Sequence, residues 1–190
     1  MTATVIILNG VSSVGKSSIC RALQAITAEP FLYMEMDAYL AAMPPKYQDH
    51  PDGLSFERGE ADGRPTVLVR TGAVAERALA GMRHAAAAMA GQGNNLIIDE
   101  VFFGDRHNGF CNPVAEYRRL LSPYLLKMVG VFAPLDAIEA REAVRADRMI
   151  GMARWQFDEV HKGMTYDLEV DASEASPATC AARIKAAFAI

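Results

Sequence analysis

Gly10-Val11-Ser12-Ser13-Val14-Gly15-Lys16-Ser17 fits the pattern G-x-x-x-x-G-K-[ST], and its flanks restrict what it can be built into. It follows Val5-Ile6-Ile7-Leu8, a continuous apolar run of the kind shown by a strand buried on both faces of a parallel sheet. It precedes Ile19, Ala22, Leu23 and Ile26, spaced i, i+3, i+4, i+7 along one helical face. A strand, a glycine-bounded turn and a helix in that order curl successive backbone N–H groups inward, and the helix N-terminus adds its positive dipole end. The loop of Gly10, Val11, Ser12, Ser13, Val14, Gly15, Lys16, Ser17 and Ser18 therefore reads as a phosphate cradle for ATP. Lys16 supplies a point charge near the β- and γ-phosphates, and the Ser17 hydroxyl can ligate Mg²⁺.

Further apolar runs at Phe31–Met36, Asn95–Asp99, Leu125–Phe132 and Tyr166–Val170 read as strands. Helical segments are expected at Gly72–Gly91, from Pro134 to about Arg145, and at Pro177–Ala187. Strands alternating with helices imply right-handed β-α-β units. The expected fold is α/β: a three-layer α/β/α arrangement around a mostly parallel five-stranded sheet, with residues 1–190 forming one domain. In Gly72–Gly91, Leu79, Met82, Ala86 and Met89 are assigned to the buried side, and Glu76, Arg77, Arg83 and His84 to the solvent side. Pro44–Pro65 holds four prolines and three glycines and breaks the rhythm. It is expected to be a long loop or flap within an acceptor-side segment, residues 38–71.

Composition removes several function classes. Of the 190 residues, 51% are hydrophobic, and 19 Lys and Arg against 23 Asp and Glu leave a net charge of −4. A nucleic-acid binder normally carries a basic face, so no nucleic-acid partner is expected. The N-terminus lacks a basic region ahead of its short apolar run, and no stretch is long enough for a membrane span. Cys20, Cys111 and Cys180 form no C-x-x-C pair and read as reduced thiols, which makes a cytoplasmic protein the expectation.

Asp99 closes the Leu96-Ile97-Ile98 run, at the strand end where open α/β sheets bind ligands. It is a candidate Mg²⁺ partner alongside Ser17, with the capping of a turn as the alternative. Glu100 beside it could orient water or hold the Pro44–Pro65 segment. Arg141, Arg145 and Arg148 stand at i, i+4, i+7, and residues 141–155 read as an Arg-rich helical lid with Gly151 as a hinge. Its guanidinium groups would meet ATP phosphates and stabilise the moving phosphoryl group; the alternative is a solvated face salt-bridged to Glu142. Asp37 ends the second apolar run and is either the base that activates a hydroxyl acceptor or an N-cap for the residues after it. Met34, Met36 and Met43 could line an adaptable acceptor pocket. Neither N-K-x-D nor D-x-x-G occurs, which argues against a GTPase. A cradle with a downstream arginine cluster is the arrangement of a small-molecule kinase. Three other readings remain open: a kinase of a sugar, nucleoside or shikimate-like metabolite, a toxin-like kinase of a sugar nucleotide, and a non-catalytic ATP-binding regulatory module.

Ile6-Ile7-Leu8-Asn9-Gly10-x-Ser12-Ser13-x-Gly15-Lys16-Ser17 resembles the start of chloramphenicol phosphotransferase, as do Asp37 with Ala42-Met43-Pro44, and Ile97-Ile98-Asp99-Glu100-Val101-Phe102. The segments Arg141-Glu142-x-x-Arg145-x-Asp147-Arg148-x-x-Gly151-Met152-Ala153 and His161-x-Gly163-x-x-Tyr166-Asp167-x-Glu169-Val170-Asp171 extend the resemblance to most of the chain. It implies a P-loop kinase fold and an ATP-dependent O-phosphotransferase that modifies the primary hydroxyl of chloramphenicol, and hence antibiotic resistance. It also implies Asp37 as general base and Arg141, Arg145 and Arg148 as lid arginines. Val11 stands where that family has a glycine and Glu100 where it has a second aspartate. Pro45–Thr71 matches poorly, so the phosphate chemistry carries over further than the acceptor does.

Overall fold

The computed structural model describes residues 2–102, 112–145 and 149–190. In chain order the elements are β1 (Thr4–Asn9), α1 (Lys16–Ile26), β2 (Phe31–Glu35), α2 (Met36–Ala41), a 3₁₀ turn (Pro45–Tyr47), β3 (Leu54–Ala61), β4 (Arg64–Thr71), α3 (Ala73–Gly91), β5 (Asn95–Glu100), α4 (Pro113–Leu120), β6 (Leu125–Phe132), α5 (Leu135–Ala143), α6 (Met152–Phe157), β7 (Leu168–Asp171) and α7 (Pro177–Phe188). Five strands pair in parallel in the order β2-β5-β1-β6-β7. Leu8 lies opposite Asp99 and Asn9 opposite Glu100, so the cradle after β1 and the acidic end of β5 emerge at the same edge.

Period-two alternation builds the two outer layers. Ile6 and Leu8 of β1 face one way, into a cluster with Ile19 and Leu23 of α1 and Ile184 of α7. Val5 and Ile7 face the other way, against Met82 and Ala86 of α3 and Tyr117 of α4. The result is the expected α/β/α sandwich. Among the described residues no helix is long and apolar enough to cross a membrane.

Three expectations change. Much of the segment expected as a loop is an antiparallel hairpin, β3 paired with β4 from Leu54↔Thr71 to Ala61↔Arg64. Its tip is Asp62-Gly63, both at positive φ (52° and 72°), a two-residue turn matched to strand twist. The hairpin's inner residues pack with Leu40 and Leu79 in a third apolar cluster.

The second change concerns α3. Arg83 is buried at 1% exposure rather than on the solvent side. It stands four residues after Leu79, so it falls on the same stripe as Leu79, Met82, Ala86 and Ala90.

The third is the lid helix. α5 stops at Ala143, with a tightened i→i+3 bond from Arg145 N to Glu142 O, so Arg145 lies outside it. Arg148 lies outside the described residues. Neither Gly nor Pro occurs between Glu142 and Arg148, so the sequence carries no stop signal there.

Candidate active site

The cradle is shaped by two backbone demands. Gly10 lies against β6: a Cβ there would sit 2.6 Å from the Val131 carbonyl oxygen. Gly15, the residue before α1, has φ 111°, a left-handed conformation that glycine adopts without a steric cost. No side chain caps the α1 N-terminus, so its first N–H groups face the cleft. Ser13 has φ 64°, and among the described residues its buried hydroxyl has no hydrogen-bond partner. An orphaned hydroxyl in a ring of amides fits a phosphate oxygen.

Lys16 is 6% exposed and folds back over the loop. Its Nζ donates to Gly10 O at 2.9 Å and Val11 O at 3.3 Å and lies 3.6 Å from Asp99 Oδ1. Ser17 Oγ donates to Asp99 Oδ2 at 2.7 Å. The two residues assigned to Mg²⁺ from sequence are therefore in direct contact. Among the described residues no group of three acidic, His or Cys side chains could hold a metal alone. The Ser17 and Asp99 oxygens fit the one or two protein ligands that Mg²⁺ takes before water and phosphate complete its shell.

One cavity of about 660 Å³ joins the cradle to the hairpin. Residues Ser12 to Ser18 line it, whereas Val11 is buried in the core at 2% exposure and, with Gly10, contributes a carbonyl to Lys16. Asp37 also lines the cavity, from the first turn of α2. The residue preceding that helix is Glu35, so Asp37 is not its N-cap. Of the three methionines proposed for the acceptor side, Met36 reaches the cavity, whereas Met34 and Met43 are each 6% exposed and belong to the core.

The arginines of the segment expected to be a lid are placed differently from the sequence reading. Arg141 lines the cavity but donates to three carbonyls: Val14 O at 3.0 Å, Ala172 O at 2.6 Å and Ser173 O at 3.1 Å. It thereby ties the cradle to the loop after β7. Arg145 lines the cavity too. Glu142 is not a surface partner: at 1% exposure it accepts from Gly151 N and Ala153 N, each at 2.8 Å, and so anchors the start of α6. Gly151 O in turn accepts from Val67 N of β4 at 2.9 Å, and a Cβ on Gly151 would lie 2.5 Å from Pro65 O. Gly151 is a packed junction between α6 and the hairpin rather than a hinge. From α6, Gln156 Oε1 accepts from Ser12 N at 2.7 Å and braces the cradle.

Sequence reasoning missed the far wall. Glu100 is buried at 2% exposure, accepts from Tyr117 Oη at 2.7 Å and lies 3.5 Å from Arg83 Nη1. Arg83 Nε also bonds Glu116. Burial pushes the Glu100 carboxyl up to about 7 despite the Tyr117 hydrogen bond and the Arg83 charge that oppose it. Glu100 thus holds α3 and α4 rather than the hairpin. Apart from the charges on α3, no sequence signal announced this cluster. On the other side of the cradle, Asn9 Nδ2 donates to Tyr166 Oη at 2.7 Å and to Val160 O at 3.0 Å, and Tyr166 Oη meets His161 Nδ1 at 2.7 Å. Burial, with Lys16 nearby, pushes the His161 imidazole down to about 4, and Tyr166 is pushed up to about 12.

The family model described as "Chloramphenicol phosphotransferase-like protein" matches residues 3–189. A Mycobacterium tuberculosis protein named "Putative O-phosphotransferase Rv2636" is 29% identical over 171 residues, covering 87% of this chain and 73% of that protein. A sugar kinase structure from Janibacter sp. HTCC2649 superposes with a TM-score of 0.66 at 17% identity, covering 100% of this chain and 96% of its own. The APS kinase CysC of Mycobacterium tuberculosis, in complex with AMPPNP and APS, gives a TM-score of 0.63 at 14% identity, covering 100% and 99%. At these identities the solved structures establish the fold.

Proposed function

This chain belongs to the chloramphenicol phosphotransferase-like family, and from that membership we propose that it is an ATP-dependent O-phosphotransferase acting on a hydroxyl of a small molecule. The observation that carries the reading is one cavity with two ends. Ser17 bonded to Asp99 at 2.7 Å, with Lys16 beside them, lies at one end, and Asp37 lies on the wall of the same space.

In this reading the amides of the cradle and the Ser13 hydroxyl grip the triphosphate, and Ser17 and Asp99 hold Mg²⁺ directly or through water. When bound, the metal neutralises charge on the β- and γ-phosphate oxygens. Lys16 leaves its carbonyl partners for those oxygens. Asp37 accepts the proton of the acceptor hydroxyl as that oxygen bonds to the γ-phosphorus and the bond to ADP breaks. Arg145 and Arg148 stabilise the equatorial oxygens. Arg141 meets the phosphates from the cavity wall while keeping Val14 in place. Val144, Ala175 and Pro177, which also line the cavity, receive the nucleotide base. The protein works in the cytoplasm as one kinase domain, with residues 38–71 over the acceptor and 141–155 as the lid.

Chloramphenicol is the first acceptor to test because of the family, and sugars and shikimate follow. Transfer of labelled γ-phosphate to such a panel should identify an acceptor. With that acceptor, Asp37→Asn should keep its affinity for Mg–ATP and lose transfer by about 10²–10⁴-fold. Transfer at the wild-type rate would remove Asp37 from the role of base. No affinity for Mg–ATP in the wild-type protein would end the kinase reading.

A further inference from the structure

The bond between Ser12 and Gln156 fixes which way the Gln156 amide points. The Ser12 N–H can only donate, so the atom it meets at 2.7 Å is Oε1, and Nε2 lies on the other side of the group. Gln156 is 4% exposed and lines the cavity. Among the described residues its Nε2 donates to no protein group and is not sealed in the core, so its two N–H groups open onto the cavity. A side chain more than nine-tenths buried that keeps two donors unpaired is held ready for an acceptor that the protein does not supply.

The amide is held from both ends of its helix. At the start of α6, Gly151 N and Ala153 N donate to Glu142, and Gly151 O accepts from Val67 N. After its end, Val160 N donates to Gln156 O, and Val160 O accepts from Asn9 Nδ2, one residue before the cradle. A donor fixed before its ligand arrives needs no reorganisation to act. Its position selects that ligand. In a loop of this motif the backbone amides cradle the α- and β-phosphates, while the lysine reaches the β- and γ-phosphates. Lys16 Nζ rests on Gly10 O and Val11 O, immediately before Ser12. Gln156 therefore meets the loop at the end where the lysine charge sits, and the orphaned Ser13 hydroxyl is the next residue along.

We propose that Gln156 is a ligand of the γ-phosphate: its Nε2 donates to an oxygen of the terminal phosphoryl group. The proposal rests on the reading of this cavity as an ATP site and adds to it a catalytic residue outside both the loop motif and the arginine cluster. ADP offers no such oxygen, so the contact separates substrate from product. It also supplies a neutral, fixed donor to the group being transferred.

The Kd values of Mg–AMPPNP and Mg–ADP for the full chain can be compared by isothermal titration calorimetry. Gln156→Glu keeps an oxygen for Ser12 N and loses the donor. It should weaken Mg–AMPPNP by about ten- to a hundredfold and leave Mg–ADP within about threefold. Gln156→Leu adds no charge and also removes the brace. It should weaken both nucleotides, with the AMPPNP-to-ADP affinity ratio still falling by about fivefold or more. A merely structural brace would move both nucleotides together. In the wild-type protein the side-chain NH₂ resonances of Gln156, assigned by their absence from either variant, should shift with Mg–AMPPNP and far less with Mg–ADP. Retention of the wild-type affinity ratio by either variant, or equal NH₂ shifts with the two nucleotides, would overturn the proposal. Failure of the wild-type protein to bind Mg–ADP would bring down the nucleotide reading and this proposal with it.

Discussion

Glu142 offers a demanding test of how α6 is held against α5. Its carboxylate makes two 2.8 Å bonds to the amides that open α6, and it is 1% exposed. A hydrogen bond to a charged group contributes about 1.5–3 kcal/mol, and a buried N–H left unpaired costs about 1–3 kcal/mol. Glu142→Ala removes both bonds at once, while water entering the vacated space recovers part of the loss. The expected cost is about 3–5 kcal/mol. For a chain of this size about 1 kcal/mol moves Tm by roughly 2–4 °C, so Tm should fall by about 6–20 °C. Glu142→Gln keeps one acceptor oxygen and should lose about half as much. Because α6 carries Gln156, which braces Ser12 at 2.7 Å, Glu142→Ala should also weaken Mg–ATP binding. Thermal unfolding by circular dichroism, with and without Mg–ATP, reads both effects. A Tm drop below about 2 °C for Glu142→Ala would refute the anchor, and restore the surface salt-bridge role that the sequence suggested.

Gly10→Ala places a Cβ 2.6 Å from Val131 O and 3.0 Å from Val14 Cγ1, so it should cost about 1–3 kcal/mol and lower nucleotide affinity; urea unfolding with a Mg–ATP titration would show an unaltered protein if the close approach were unimportant. Glu100, lifted to about 7 from 4.5, binds its proton more tightly in the folded state, so its contribution is present below pH 4.5 and lost as pH rises through 7, about 3 kcal/mol in all. Glu100→Gln should therefore flatten the fall in urea-unfolding stability between pH 5 and 8; an equally steep fall would count against that assignment. His161, pushed down to about 4 from 6.5, has the opposite sign: its contribution is present above pH 6.5 and lost as pH falls through 4. Discounted for its partial exposure, it is about 1–2 kcal/mol, and His161→Gln should shrink the acid limb of the same profile.

Much of the site was legible because its chemistry is local. The loop motif needs particular residue types at fixed spacing, and Asp99 sits one strand away at a predictable strand end, so the meeting of Lys16, Ser17 and Asp99 could be expected from sequence. The hairpin was legible in principle: Asp62-Gly63 between Leu54-Ser55-Phe56 and Val67-Leu68-Val69 is a turn signal, but the surrounding prolines and glycines weighed against it. Arg83 was misplaced by helical arithmetic, since a position four after Leu79 shares its face. The partners of Arg141 and Glu142 were beyond reach, because they are main-chain groups brought close by folding.

By itself, the sequence determined the parallel sheet, the glycine-bounded loop after β1 and the edge of the sheet at which they meet. Those follow from side-chain periodicity and from backbone freedom at two glycines, properties each segment carries alone. Tertiary structure decided which charges are spent on holding the protein together and which still face the cavity. That depends on distances between segments remote in the chain: Arg83 of α3 meets Glu100 of β5 and Glu116 of α4, while Glu35, Asp37 and Glu76 line the cavity.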